Sequence, residues 1–137
     1  MVAPAIKLDF DAARLILHVG LAATRFDTKA TVDSAFEAIR RYWRANCGGK
    51  KVYALIDYTG VQIEAAIMEY YAAAVKRIVE ECSITAVRYS DDVLTRSKLR
   101  RISVMIHKPS NLYDTRAEAL EVVEAIRTNK LPIQNAS

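Results

Sequence analysis

The feature that most constrains the fold is residues 52–56, an almost unbroken apolar run (Val-Tyr-Ala-Leu-Ile) that follows Gly48 and Gly49. A run this short, bounded by turn residues, is typical of a strand that is covered on both faces in the middle of a parallel sheet. Amphipathic helices are predicted on either side of it, over 31–46 and 64–82, because apolar residues recur there at helical spacing. This order predicts an α/β domain with parallel crossover connections.

The rest of the chain continues the alternation of strands and helices. The predicted element order is ββαβαβαβα, and the fold class is α/β with a mixed, mostly parallel sheet covered by helices. The further predicted elements are a β-hairpin over 7–10 and 14–21, strands at 83–89 and 111–113, and helices over 93–106 and from 116 onward.

Residues with helix-capping chemistry indicate where the predicted helices begin. Thr31 and Ser90 are candidate N-caps of the first and third helices, because a hydroxyl can accept a hydrogen bond from the free amides of a first turn. Thr115 is followed three residues later by Glu118, which is the spacing of a capping box. No linker divides the chain, so we expect one domain over 1–129 and a loose tail over 130–137.

Composition and motif content exclude several classes of protein. The chain has 137 residues, of which 52% are hydrophobic and 26% charged, as is usual for one globular domain. No apolar run approaches the roughly 20 residues of a membrane span, and residues 1–7 lack the pattern of a signal peptide, so we expect a cytoplasmic protein. The net charge of +4 is small and no recognition motif accompanies it, so nucleic acid is not an expected partner.

Cysteine and histidine usage predicts neither a metal site nor a disulfide. Cys47 and Cys82 are 35 residues apart, and neither lies near His18 or His107 in the spacing of a zinc site. Two thiols in a chain expected to be cytoplasmic are better interpreted as buried side chains. We therefore predict no metal and no cofactor.

A basic cluster on the predicted third helix is a candidate anion-binding site. Arg96 and Arg100 are four residues apart and share a helix face, and Arg101 lies next to them. Arginine matches the geometry of carboxylate and phosphate oxygens, so this face could bind an anionic lipid headgroup or an acidic partner. A solvated helix face, neutralised by Asp91 and Asp92, is the simpler interpretation and the one that we favour.

A second candidate site, for a ligand or a partner, follows the central strand and consists of Asp57, Thr59, Gly60 and Glu64. In open α/β sheets ligands bind at the carboxyl ends of the strands. No histidine, lysine or second carboxylate accompanies Asp57 at a fixed spacing, so we assign no catalytic residue and do not expect an enzyme. The simpler role for Asp57, and the one that we favour, is to cap the helix or turn that follows it.

Two segments carry a resemblance to a known family: residues 53–61 (Tyr-Ala-Leu-Ile-Asp-Tyr-Thr-Gly-Val) and residues 111–120 (Asn-Leu-Tyr-Asp-Thr-Arg-Ala-Glu-Ala-Leu). Together with the element order, over about residues 6–127, they resemble the STAS superfamily of anti-sigma-factor antagonists and sulphate-transporter domains. Within it, the chain is most similar to the SpoIIAA-like branch of small bacterial proteins. The resemblance implies a non-catalytic bacterial binding or regulatory module that acts on a protein partner or as a homodimer.

The same resemblance implies that this chain departs from the signalling members of the family. Those members carry a phosphorylatable serine at the start of the helix after the central strand. The matching positions here, residues 63–66, are Ile-Glu-Ala-Ala and hold no hydroxyl group. Thr59 is the nearest hydroxyl, and it falls in the preceding turn, so a phosphorylation switch is not expected.

Three other functions remain open at this point. One is a small apolar-ligand or lipid-binding domain with a cavity between the helices and the sheet. Another is an accessory domain of an acyl-CoA enzyme, because residues 88–90 (Arg-Tyr-Ser) and the basic helix after them resemble the end of some longer bacterial acyl-CoA-transferase-like chains. The third is an enzyme that uses Asp57 near Arg96 or Arg100.

Overall fold

The computed structural model describes residues 6–21 and 23–131, and strands alternate with helices along this part of the chain. A short 3₁₀ helix, Ala65–Ile67, precedes the second α-helix. The strands are β1 Lys7–Asp11, β2 Ile16–Gly20, β3 Arg25–Phe26, β4 Val52–Asp57, β5 Gln62–Ile63, β6 Ser83–Tyr89 and β7 Leu112–Tyr113; the helices are α1 Lys29–Cys47, α2 Met68–Cys82, α3 Val93–Met105 and α4 Arg116–Arg127.

The main sheet has five strands in the order β1-β2-β4-β6-β7. The strands β2, β4, β6 and β7 are parallel, and β1 is joined to β2 in an antiparallel hairpin. This arrangement confirms the predicted α/β class with a mixed, mostly parallel sheet. It also places β4 at the centre, as its apolar run predicted.

Alternate side chains of the sheet build two separate cores. Val52 and Ala54 lie on the side of α1 and α2, where the larger core is centred on the rings of Phe26, Phe36 and Tyr71. On the other side Ile16, Leu55 and Val87 pack against Ala119 and Val123 of α4. The central strand is therefore covered on both faces, which explains why its sequence does not alternate with polar residues.

Two short strands that the sequence did not predict form a second sheet. The strand β3 pairs with β5 in parallel, and each is only two residues long. The amide of Gln62 donates to the carbonyl of Thr24 at 3.0 Å, and the amide of Glu64 donates to that of Phe26 at 3.0 Å. Two residues are too few to show a period in the sequence, so the predicted order ββαβαβαβα lacked both strands.

The predicted N-caps of the first and third helices are wrong by a few residues. Thr28, not Thr31, caps α1, and its side chain accepts a hydrogen bond from the amide of Thr31 at 3.1 Å. Asp92, not Ser90, caps α3. An N-cap residue has extended backbone geometry just outside the helix, as Thr28 has, whereas Thr31 already belongs to the helix.

The second and fourth helices also differ in how well their starts were predicted. The helix predicted over 64–82 is divided into the 3₁₀ helix and α2. It does not begin at Glu64, because the backbone of Glu64 is extended and its side chain makes no capping hydrogen bond. Thr115 caps α4 as predicted: its hydroxyl accepts a hydrogen bond from the amide of Glu118 at 3.2 Å and lies 3.1 Å from the Glu118 carboxylate.

Most of the predicted tail, 132–137, lies outside the described residues. Its first two residues continue the end of α4, because the amides of Lys130 and Leu131 both donate to the carbonyl of Ala125. Within the described ranges, no helix is both long and apolar enough to cross a lipid bilayer.

Candidate functional site

Asp57 lies at the carboxyl end of the central strand, where the sequence placed it. Its Oδ1 accepts a hydrogen bond from the amide of Thr59 at 2.7 Å, so the carboxylate stabilises the turn between β4 and β5. Tyr89 occupies the corresponding position of β6. Burial raises the pKa of the Tyr89 phenol, and the adjacent Asp57 carboxylate raises it further.

Around Asp57 the structure assembles a polar cluster that sequence reasoning missed. His18, Asp57, Tyr89 and Arg116 line a depression of about 270 Å³ on the α4 side of the sheet. Nη2 of Arg116 lies 3.4 Å from Nδ1 of His18, across 98 positions of the chain. The sequence carried one signal of this cluster: side chains alternate along β2, so His18 lies on the same face of the sheet as Ile16. No local pattern in the sequence indicated that Arg116 lies next to His18.

The electrostatics of this cluster keep its histidine and its tyrosine uncharged. Burial, and then the positive charge of Arg116, lowers the pKa of His18, so the imidazole is uncharged at neutral pH. The raised pKa of Tyr89 keeps its phenol protonated. The cluster therefore presents a neutral imidazole and a neutral phenol together with the carboxylates of Asp9 and Asp57 and the basic side chains of Lys7 and Arg116.

Gly60 and Glu64 have structural partners of their own. Gly60 has a φ of +73°, and a Cβ atom there would lie 3.2 Å from the Cβ of Ala23, so the position accepts little beyond glycine. The carboxylate of Glu64 is 2.7 Å from Nη2 of Arg25 on β3. Thr59 is exposed and lies in the turn before β5, as predicted.

A groove of about 400 Å³ separates the β5 region from the N-terminal half of α3. Gly60 and Glu64 line it together with Leu94 of α3, whereas Asp57 and Thr59 do not. Nζ of Lys98 donates to the carbonyl of Ile63 at 2.8 Å and fixes the helix against β5. The structure therefore joins two residues of the second candidate site to the basic helix.

The three arginines of the predicted anion site do not act as one group. Arg96 is only 14% exposed; its Nη1 donates to the carbonyl of Ser90 at 2.8 Å, and its Nε lies 3.4 Å from the carboxylate of Asp114. Arg100 and Arg101 are exposed, and neither forms an ion pair with any residue that the structure describes. The hypothesis that Asp57 works with Arg96 receives no support, because Arg96 pairs with Asp114.

The exposed side of α3 is unusually apolar. Val93 is 66% exposed, Leu94 72% and Val104 74%, and Arg100 and Arg101 lie between them along the helix. These positions recur at spacings of three, four and seven residues, so they share one side of the helix. We call this set of five residues the α3 face.

A second feature absent from the predictions is a buried arginine in the larger core. Arg88 is 2% exposed, although it carries a permanent charge. It lines a cavity of about 50 Å³ between the sheet and the helices α1 and α2, as does Tyr58. The phenol oxygens of Tyr58 and Tyr71 are 2.7 Å apart in the same core.

No relative was found from which a function could be transferred. A comparison of the chain with models of protein families, with curated proteins and with solved structures gave no match. In the part of the chain that the structure describes, no three histidine, cysteine, aspartate or glutamate side chains are grouped so that they could hold a metal ion. Function is therefore inferred from the geometry of the α3 face and of the groove beside it.

Proposed function

We propose that this chain is a non-catalytic binding module of STAS-like type that docks an acidic protein partner on the α3 face. The observation that carries this proposal is the exposure of Val93, Leu94 and Val104 beside two unpaired arginines. Apolar side chains grouped on a surface mark interaction sites, because water contact with them is unfavourable. Arginine is enriched at the centres of protein interfaces.

The charges of the α3 helix favour a protein partner over a lipid surface. Sites that recognise anionic lipid typically gather about four to eight basic residues. The helix holds Arg96, Lys98, Arg100 and Arg101, but the first two are engaged with Ser90, Asp114 and Ile63. Of these four, Arg100 and Arg101 have no ion pair with a residue that the structure describes, and their guanidinium groups suit the carboxylates of an acidic segment.

The groove beside the α3 face offers room for a partner side chain. It is open along α3 next to Leu94 and is bordered by Gly60 and Glu64. Glu64 is neutralised by Arg25, and the carboxylate of Asp92, which also lines the groove, accepts hydrogen bonds from the amide and hydroxyl of Thr95. Residues 53–61 and 111–120, which resemble STAS domains, support the same class of function. Residues 64–66 offer no hydroxyl, so we propose that binding does not depend on phosphorylation of that helix start.

The proposal is tested with a photo-crosslinking amino acid at position 94 and a charge-reversed pair, Arg100→Glu with Arg101→Glu. We expect one protein to be captured at position 94, to bind the purified chain directly, and to lose roughly tenfold or more in affinity with the charge-reversed pair. Binding should weaken as salt rises, because exposed charges are screened within about 10 Å at 0.1 M ionic strength.

Arg41→Glu with Arg44→Glu is the matched control, since both are exposed arginines of α1, with pairs of 3.6 Å to Glu37 and 3.9 Å to Glu81. It changes the net charge without touching the α3 face, so the affinity should stay at the wild-type value. An equal loss of affinity in the control would show that net charge alone causes the effect, and it would overturn the proposal. If position 94 captures a second copy of this chain and sedimentation equilibrium shows a dimer, the α3 face is a homodimer interface and the proposal of an acidic partner is wrong.

A lipid-binding domain, the alternative that the sequence left open, is not favoured by the cavity. Its volume is about 50 Å³, whereas an engineered apolar cavity that binds benzene has a volume of about 150 Å³. A full acyl chain would require α1 and α2 to move apart. A role as an accessory domain of an acyl-CoA enzyme likewise finds no feature among the described residues that favours it.

A further inference from the structure

Three strands of the main sheet end at one depression on the α4 side. Gly20, Asp57 and Tyr89, the last residues of β2, β4 and β6, all line it, and its volume is about 270 Å³. Ligands of open α/β sheets bind at the carboxyl ends of the strands. No residue of the α3 face lines this depression, so a ligand here would be independent of the proposed function.

Opposite charges surround the depression without meeting. Two basic and two acidic side chains line it: Lys7, Arg116, Asp9 and Asp57. None of the four forms an ion pair with any residue that the structure describes. Asp57 is half-buried and the other three are exposed, so a ligand from solvent reaches them without a movement of the fold.

The register of the sheet keeps these charges apart. One row across β1, β2, β4 and β6 consists of Lys7, Gly20, Asp57 and Tyr89. Side chains in such a row point to the same face of the sheet, and neighbouring strands lie about 4.8 Å apart. Because Gly20 has no side chain, a gap of roughly two strand spacings remains between Lys7 and Asp57.

The backbone does not require glycine at position 20. Its φ lies outside the left-handed region, and it pairs regularly with a residue on each side. A Cβ atom there would lie 3.4 Å from the Cβ of Lys7, which is an ordinary van der Waals contact. Glycine in a strand often marks a place where a ligand approaches the backbone closely.

Tyr89 lies close to one negative and one positive group of the depression. The Asp57 carboxylate raises the pKa of the phenol and the Arg116 guanidinium lowers it, so both charges are near this ring. Arg116 has five N–H donors, and the 3.4 Å contact of its Nη2 with Nδ1 of His18 leaves most of them for a ligand. Oδ1 of Asp57 accepts from the amide of Thr59, and the carboxylate retains further lone pairs.

We propose that this depression binds a small zwitterionic α-amino acid, whose ammonium group pairs with Asp57 and whose carboxylate pairs with Arg116. Equal numbers of acidic and basic side chains suit a ligand without net charge, and the fork of the guanidinium group matches a carboxylate. The side chain of the ligand lies over Gly20. The depression exceeds the roughly 150 Å³ of a cavity that binds benzene but not the roughly 300 Å³ of drug-sized pockets, so that side chain is short.

The binding test is an NMR titration of the isotope-labelled full chain, followed on the amide resonance of Gly20 and the Nε–H resonance of Arg116. We expect alanine and serine to shift both resonances saturably. Alaninamide lacks the carboxylate and N-acetylalanine lacks the ammonium group, so each should bind roughly tenfold or more weakly than alanine. Tryptophan should bind more weakly because its side chain is too large for the gap, and glucose, a neutral polyol, should leave both resonances unmoved.

Gly20→Val tests the gap itself. Valine suits a strand, and its Cβ makes an ordinary contact, so the variant should fold. Its side chain fills the gap and should abolish alanine binding, as followed on Arg116. If Gly20→Val fails to fold, Gly20→Ala takes its place and should weaken alanine binding.

Two charge variants test the pairing of the ligand. Asp57→Asn keeps an oxygen for the amide of Thr59 but loses the charge, and Arg116→Gln loses the guanidinium group. Each should weaken alanine binding by roughly tenfold or more, because a charge-assisted hydrogen bond is lost. The matched controls are Asp91→Asn and Arg41→Gln, at exposed positions outside the depression, and both should bind alanine as the wild type does.

Several outcomes would overturn the proposal. These are no saturable shift with alanine or serine, equal affinity for alanine and either of its two blocked forms, tighter binding of glucose, and unchanged alanine binding by the folded Gly20 variant or by both charge variants. An equal loss of affinity in the controls would also count against the site. The α3 face takes no part in these tests, so their failure is distinct from a failure of the proposed function.

Discussion

At Gly60 the chain passes so close to Ala23 that a Cβ atom would lie 3.2 Å from the Cβ of Ala23, a contact that requires Ala23 to shift by a few tenths of an ångström. Gly48 has nearly the same backbone conformation, with φ of +61° against +73°, but nothing lies within 4 Å of the position that its Cβ would take. Substitutions at the two glycines therefore distinguish the effect of backbone conformation on stability from the effect of the contact with Ala23. Asparagine tolerates this left-handed region better than other side chains.

We expect Gly60→Asn to lower the free energy of unfolding by about 1–3 kcal/mol, as overpacking does. Gly48→Asn should change it by no more than about 0.5 kcal/mol, because the new side chain points into open space. Urea denaturation of both variants measures the difference. Equal losses would mean that conformation alone, and not the contact with Ala23, makes glycine necessary at position 60.

His18 predicts how stability depends on pH. Burial and the charge of Arg116 lower its pKa in the folded state, so the unfolded chain binds a proton more readily. The stabilisation is complete above about pH 6.5, the pKa of an unperturbed histidine, and it is lost as the pH falls toward the lowered pKa. Carboxylates with a lowered pKa, such as Asp92 and Glu124, lose their contribution only below about pH 4.

Between about pH 7 and pH 5 the wild type should therefore lose stability on acidification, and His18→Gln should lose less. Denaturant unfolding at several pH values in this window measures the slope. The control is Arg116→Gln, which removes one of the causes that lower the pKa of His18 and should reduce the slope without abolishing it. A wild-type slope identical to that of His18→Gln would show that His18 titrates alike in both states.

Among the elements, the central strand β4 tolerates change least. Leu55 is 2% exposed and lies on the α4 side of this strand, where it packs with Ile16, Val87 and α4. Leu55→Asp should prevent folding, because a buried unpaired charge costs several kcal/mol against a total stability of roughly 5–15 kcal/mol. Leu55→Met, which conserves volume, should fold with a loss below about 1.5 kcal/mol. A soluble Leu55→Asp protein that melts cooperatively would contradict this placement.

The elements also show which parts of the fold the sequence could predict. The strands β4 and β6 and the four α-helices were found, because each is long enough to show a period or a continuous apolar run. The sheet of β3 and β5 was not, and neither were the caps at Thr28 and Asp92, since these depend on where the chain enters each helix. Boundaries of this kind are set by tertiary contacts that a local pattern does not contain.

The candidate site was predictable to a smaller extent. The sequence located Asp57 and the basic helix. It did not predict the ion pair between Arg96 and Asp114, because the two residues belong to different segments and no local pattern relates them. Arg88 did leave a signal. It is two residues from Ala86 on β6, so alternation places it on the covered face of a parallel sheet, where a charge is unusual.

At the scale of the whole molecule, the two thiols report on global unfolding. Cys47 ends α1 and Cys82 ends α2, and both are free and buried. Burial raises the pKa of both thiols, that of Cys82 to about 12. The reactive thiolate is therefore scarce in the folded protein.

We expect neither cysteine to react with a thiol reagent at pH 8 until the protein unfolds, so the labelling rate should rise with denaturant in parallel with the unfolded fraction. Mass spectrometry of the labelled chain counts the modified thiols. A Cys47→Ala variant serves as the control and assigns the remaining signal to Cys82. Rapid labelling of one thiol in native buffer would show that a helix end opens locally.

The two edge strands of the main sheet, which form its two rims, help the molecule to avoid aggregation. Unpaired strand edges offer free amide and carbonyl groups on which another chain can add a strand and start a fibre. Here one rim is β1, where Lys7, Asp9 and Asp11 alternate with apolar residues, and the other is β7, which is two residues long. Charges on the first rim and the shortness of the second disfavour strand addition, so this sheet is protected against growth into amyloid from either side.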